Sequence, residues 1–128
     1  MKIFISIALG GSFGAVSRYY LSKALTNIFG GLFPWGTLAV NLIGSLIIGF
    51  FYNVFSKAVV PAGIRSFITI GFLGAFTTFS TFALENFNLF RDGEIKIAFI
   101  NILISNFFGI LFALLGFYIA ELIFLIRR

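Results

Sequence analysis

The residues in this sequence best able to do chemistry are uncharged, and they recur at helical spacing. Thr37, Asn41 and Ser45 stand four apart with Gly44 and Gly49 beside them, so on a helix one face offers hydroxyl and amide donors while the rest is aliphatic. A second group is the run Gly71-Phe72-Leu73-Gly74-Ala75-Phe76-Thr77-Thr78-Phe79-Ser80-Thr81-Phe82. Glycine weakens a helix, and Thr and Ser compete for its backbone bonds. The helix is therefore expected to break between Gly74 and Thr78, and carbonyls released there would suit a cation. Phe79 and Phe82, three apart, share a helical face beyond the break. Aromatic rings carry a positive edge, so two edges aimed at one point favour a small anion without any formal charge. The same residues have plainer readings. Asn41 could be interhelical glue contributing about 1 kcal/mol to packing, and two Phe among the chain's 20 could be ordinary lipid-facing or core residues. Cysteine and histidine are absent, which removes disulfides, thiol nucleophiles and the commonest transition-metal and proton-shuttle ligand.

The surroundings of these residues are apolar almost throughout. Of 128 residues, 60% are hydrophobic and only 10% charged, against about a quarter charged in a soluble domain. No soluble core of this size hides so much apolar surface, so the solvent is a bilayer. A span of about 20 helical residues crosses a hydrocarbon core of roughly 30 Å. Four such segments are read at residues 3–26, 35–56, 65–90 and 96–126, forming a single four-helix transmembrane domain over residues 1–128. The breaks hold Asn27, Gly30, Gly31 and Pro34, then Lys57, Pro61 and Gly63, then Arg91, Asp92, Gly93 and Glu94, which is turn and solvent chemistry. Lys2 and the apolar run after it resemble a signal peptide, but the run passes Ala15 without a clear small-residue cleavage site, so it is read as a retained first helix. Ser6, Gly10, Gly14 and Ala15 in the first segment, and Ser105, Gly109 and Ala113 in the fourth, are small-residue stripes that let backbones approach.

Charge distribution gives little orientation. Lys2, Lys57, Arg65, Arg127 and Arg128 fall on one side, while Arg18, Lys23, Arg91 and Lys96 fall on the other: five against four. A Lys/Arg bias so small does not fix topology, which predicts insertion both ways round and an antiparallel homodimer. The net charge of +5 sits mainly at the ends of apolar runs, where it anchors to headgroups, and gives no case for nucleic-acid binding. Glu85 is the acid well inside a span. It either snorkels or bonds near the headgroups, or it gates or couples transport. A proton-coupled exporter of the small multidrug-resistance kind also has four short helices, but needs a mid-membrane carboxylate in the first, where this chain has only Arg18. An assembly subunit has no need of so many costly polar groups at membrane depth.

Gly10 to Tyr19, Gly36 to Gly44 with Asn41 inside it, and the run Gly71 to Phe82 followed by Glu85 together resemble the Fluc (CrcB) fluoride channels, in order and over essentially the whole chain. That resemblance implies a channel, not an enzyme: a dual-topology homodimer in the inner (plasma) membrane of a prokaryote. It would export toxic cytoplasmic fluoride passively through two antiparallel pores. It further implies a structural Na+ at the dimer centre, on the backbone carbonyls of Gly74 and Thr77 from both copies. Phe79 and Phe82 would face the pores, Asn41 would complete the anion path, Thr37 and Thr81 would lie along the same polar track, and Arg18 would support the mouth. Ala75 stands where a second glycine is common in the family. The fourth segment offers Asn101, Ser105 and Asn106; the first two share a face while Asn106 points about 100° away, and Ser105 is taken as its pore residue.

Overall fold

The computed structural model describes residues 1–126, and among these there is no strand. Arg127 and Arg128, which enter the charge count, lie outside the described residues. Helix α1 spans Lys2–Phe29 and α2 spans Trp35–Lys57. The third segment starts with a short α3 (Ala62–Ser66), continues as a π-helical stretch (Phe67–Leu73) and ends its first half in α4 (Gly74–Phe76). After a break come α5 (Phe79–Arg91) and α6 (Ile95–Ile126).

The connections follow from local chemistry. Gly30 and Gly31 adopt φ of 58° and 77° between α1 and α2, a left-handed conformation that glycine takes without a Cβ penalty. Pro34 and Pro61 stand immediately before α2 and α3, where a missing N–H costs no helical bond.

Three segments, Trp35–Lys57, Ala62–Arg91 and Ile95–Ile126, are long and apolar enough to cross a membrane, and α6 is apolar over most of its surface, as lipid-embedded helices are. Helix α1 has the length, 28 residues, about 42 Å at 1.5 Å per residue. Its apolar character is diluted by Gly10, Gly11, Ser12, Gly14, Ser17 and Arg18. Those small residues seat it against the third segment, beside which it runs: a Cβ on Gly71 would lie 2.9 Å from Gly10 Cα, and one on Gly63 would lie 3.2 Å from Ser6 Oγ. The four-helix reading is thus met by three segments on composition and by α1 on packing.

Two backbone seams hold the bundle. Gly10, Gly14 and Gly71 bring α1 against the π-helical stretch; Gly49 and Gly116 bring α2 against α6, where a Cβ on Gly116 would lie 2.9 Å from Phe50 N. The hydrophobic effect gives helices no reason to associate in lipid, so dispersion across such close seams carries the packing. Before the break the third segment packs on α1; after it, α5 packs chiefly on α6.

The break falls within the expected stretch from Gly74 to Thr78, at its C-terminal end. Gly74 stays helical, with φ −62° and ψ −34°. The chain opens instead at Thr77 (φ −81°, ψ 157°) and Thr78 (φ −149°, ψ 114°). Upstream, the wider π-helical stretch is a form that recurs at functional sites.

Candidate functional site

The break is closed by a side chain from α2. Asn41 Nδ2 donates to the Thr78 carbonyl at 3.1 Å, and the Thr78 N–H donates to Asn41 Oδ1 at 2.8 Å. The carboxamide thus replaces a peptide partner on both edges of Thr78, which is buried. Such satisfaction is what lets an irregular backbone persist at membrane depth. Thr78 then caps α5: its hydroxyl accepts from Thr81 N–H at 3.2 Å and donates to Thr81 Oγ1 at 2.9 Å, the N-cap geometry favoured for Thr.

These bonds change the accounting for two carbonyls. In a continuous helix the Thr78 N–H goes to the Gly74 carbonyl and the Thr81 N–H to the Thr77 carbonyl. Here the first goes to Asn41 and the second to the Thr78 hydroxyl. Gly74 and Thr77 therefore carry carbonyls released from helical pairing, as well as lining one open cleft. Among the described residues no group of three His, Cys, Asp or Glu side chains could hold a metal, so a cation here would be held by uncharged oxygens, which suit hard ions.

That first cleft, about 380 Å³, brings Gly74, Thr77 and Phe79 together with Asn41, Ser45 and Thr69. Phe79 is 78% exposed on the single chain, so its ring faces outward rather than into this chain's core. Phe79 and Phe82 pair at 5.6 Å between ring centroids, tilted by 40°. A second cleft holds Arg18, Lys23, Thr37 and Thr81. Thr78 lines both clefts, so they meet at the Asn41–Thr78 pair. Thr37 is buried and donates to Glu85 Oε1 at 2.6 Å, while Glu85 Oε2 is buried without a hydrogen-bond partner. Arg18 is half-buried. Ser105 lines neither cleft. It donates to Asn101 Oδ1 at 3.1 Å, on the seam between α5 and α6.

The family model described as "CrcB-like protein, Camphor Resistance (CrcB)" matches residues 5–117. The chain belongs to the CrcB family. Its relatives include the "Fluoride-specific ion channel FluC" of Magnetococcus marinus, 47% identical over 91% of this chain and 96% of that protein. The protein of the same name from Geobacter sp. is 50% identical over 82% of this chain and 86% of its own length. That from Bacteroides fragilis is 42% identical over 94% of this chain and 98% of its own. CrcB proteins are ion channels rather than enzymes, and this CrcB chain is a multi-pass membrane protein.

Two polar clusters of this CrcB chain were not anticipated. Asn86 is almost wholly buried and accepts from Asn101 Nδ2 at 3.1 Å; its position inside the third span next to Glu85 was the available signal. Asn53, fully buried, donates to the Phe117 carbonyl at 3.1 Å and to Glu121 Oε2 at 2.8 Å, and Glu121 also pairs with Lys57. Asn53 continues the four-residue spacing of Thr37, Asn41, Ser45 and Gly49, but at 3.6 residues per turn it lies about 160° round from Thr37, so this cluster faces α6 rather than the break.

Proposed function

We propose that this CrcB chain is a fluoride-selective channel of a prokaryotic inner (plasma) membrane, working as an antiparallel homodimer with two pores. The observation that carries the reading is the break at Thr77 and Thr78, where Asn41, an exposed Phe79 and two unpaired carbonyls converge. The names of the relatives support the choice of ion.

Fluoride is small and holds its water tightly, so a pore must offer donors in place of hydration while binding weakly enough for the ion to leave. Thr37 and Thr81 supply hydroxyls, Asn41 an amide with one N–H beyond its bond to Thr78, and Phe79 and Phe82 ring edges, while Ser105, expected as a pore residue, lies outside both clefts. None of these is a full positive charge that would trap the ion. Arg18 and Lys23 stand at the second cleft, where positive charge raises the local concentration of an anion before it enters.

The second copy enters because the centre is half-built in one chain. Phe79 and Gly74 are exposed on the single chain, as residues meeting an inverted copy would be, and the near-even charge distribution favours insertion both ways. Two copies would contribute four carbonyls from Gly74 and Thr77, a donor set that fits Na+. Sodium, when bound, supplies fixed positive potential near the midplane. The chain's own task there is to hold those carbonyls off the helical ladder, through Asn41 and the Thr78 hydroxyl.

The deciding experiment is efflux from proteoliposomes loaded with potassium fluoride or potassium chloride, followed with ion-selective electrodes. Rapid fluoride release with chloride retained is expected. Comparable release of both anions rejects selectivity, and release of neither rejects a channel.

A further inference from the structure

Helix α5 carries Phe79, Phe82 and Glu85 but is the most lightly packed of the longer helices, lying chiefly on α6 and touching α2 at few points. Its outer face is large and apolar, with Leu84 59% and Phe87 61% exposed. Nothing in such a face opposes rotation about the helix axis. Beyond the N-cap Thr78, which Asn41 holds, what opposes it is a pair of consecutive polar residues. Glu85 accepts from Thr37 on α2 at 2.6 Å, and Asn86 accepts from Asn101 on α6 at 3.1 Å. Consecutive helical residues point about 100° apart, so two ties to two different helices define one rotational setting, as a single tie would not.

We infer that Asn86 and Asn101 are a positioning pair that sets the rotation of α5, and with it the direction in which Phe82 and Glu85 face the ion path. The pair is joined to Phe82 directly: Asn86 Nδ2 donates to the Phe82 carbonyl at 2.7 Å, one turn back. On the α6 side Ser105 donates to Asn101 Oδ1 at 3.1 Å. The result is a one-way chain of donors, Ser105 to Asn101 to Asn86 to the Phe82 carbonyl, through two carboxamides at 1% and 5% exposure. Buried bonds in series polarise one another and tolerate little displacement. In lipid an interhelical amide bond has few rivals, so it selects one register among many apolar ones. Ser105 thus acts on the path through this chain of bonds, from outside both clefts. The inference rests on the proposed channel function for its activity readout, but the rotation it describes is measurable without any flux.

The test is the paired variant Asn86→Leu with Asn101→Leu. Removing both partners leaves no unpaired buried amide, and the Ser105 hydroxyl, freed from Asn101, can turn to the carbonyl one helical turn back, so the fold should survive where either single change would strand a carboxamide. If the leucine pair proves too bulky, Asn86→Val with Asn101→Ala serves in its place. Because the chain has no cysteine, single cysteines at Leu84, Phe87 and Leu89 can be spin-labelled in proteoliposomes and their access to oxygen compared. In the parent chain, positions 84 and 87 should be open and position 89, at 8% exposure, closed. In the paired variant that contrast should shrink, and fluoride efflux should fall by about tenfold, the factor expected when one interhelical bond no longer biases the setting. Efflux within twofold of the parent, or an unchanged oxygen pattern, overturns the inference; flux lost with the pattern intact would make the amides pore donors instead. A parent chain that conducts no fluoride yet shows the loss of contrast would reject the proposed function and leave the positioning pair standing.

Discussion

Asn41 and Thr78 hold each other by two opposed hydrogen bonds, 3.1 Å from the amide to the carbonyl and 2.8 Å from the N–H to the amide oxygen. A side chain thereby does the work of a peptide unit, and the two clefts that share Thr78 meet at this pair. Asn41→Asp keeps the acceptor but sets a second oxygen against the Thr78 carbonyl with nothing to donate. Asn41→Leu strands both edges of Thr78. Unpaired buried groups cost about 1–3 kcal/mol each, so the Leu variant should unfold at a distinctly lower temperature in detergent and lose fluoride efflux. An unchanged melting temperature in Asn41→Leu would show that Thr78 has another way to satisfy its backbone.

Thr37 and Glu85 make a second test, because the two ends of their bond are not equivalent. Thr37→Val removes the donor and leaves both oxygens of a half-buried carboxyl without a protein partner, since Glu85 Oε2 already has none. Glu85→Gln keeps an oxygen that can accept from Thr37 and removes the charge. Thr37→Val should therefore destabilise the protein by about 1 kcal/mol, whereas Glu85→Gln should fold normally and conduct within severalfold of the parent. Abolished flux in a well-folded Glu85→Gln variant would give Glu85 a part in transport rather than in anchoring α5.

The elements were legible in the sequence where composition decides them. Spans and loops follow from apolar runs punctuated by Gly, Pro and charge. Thr37, Asn41 and Thr77 to Phe82 stood out because polar groups at membrane depth are costly, and the structure gathers most of them around one break. Two kinds of detail were not legible. The break lies within the expected Gly74 to Thr78, but its exact place was not legible: glycine is the poorest helix former there, yet Gly74 remains helical. The opening sits at Thr77 and Thr78, where Asn41, 37 residues away in sequence, takes the Thr78 N–H, and local propensity does not record such a partner. Asn86 and Asn53 were passed over for the same reason: a lone Asn in an apolar span gains meaning only from the helix opposite, here Asn101 for one and Glu121 for the other.

The glycines divide into those that seal seams and those that do not. A Cβ on Gly14 would lie 3.0 Å from the Phe72 carbonyl carbon and meet its oxygen, and one on Gly116 would meet the Leu46 carbonyl and Phe50 N. Backbone cannot yield as a side-chain tip can, so Gly14→Ala and Gly116→Ala should each force α1 or α6 outward and cost about 1–3 kcal/mol by overpacking. A Cβ on Gly74 would lie 3.9 Å from Thr69 O, ordinary contact, and the Gly74 carbonyl would stay in place. Gly74→Ala should therefore leave the fold of the single chain intact. Unfolding curves of the three variants in one detergent check the order, and a Gly74→Ala variant less stable than the other two contradicts it.

Phe79 and Phe82 separate the electrostatic account of the path from a purely steric one. Their rings are paired at 5.6 Å, and isoleucine fills much of the same space without a positive ring edge. Neither ring is deeply buried, so Phe79→Ile and Phe82→Ile should fold and assemble as the parent does, measured by size-exclusion elution and melting temperature. Fluoride efflux should fall in each. Replacing sodium by N-methylglucamine is the companion measurement. If the Gly74 and Thr77 carbonyls hold Na+, its removal should impair flux or assembly in the parent and in the isoleucine variants alike, because the ion's ligands are backbone atoms that these substitutions do not touch. Full conduction in both isoleucine variants would remove the ring edges from the mechanism and leave hydroxyls and amides as the donors for the anion.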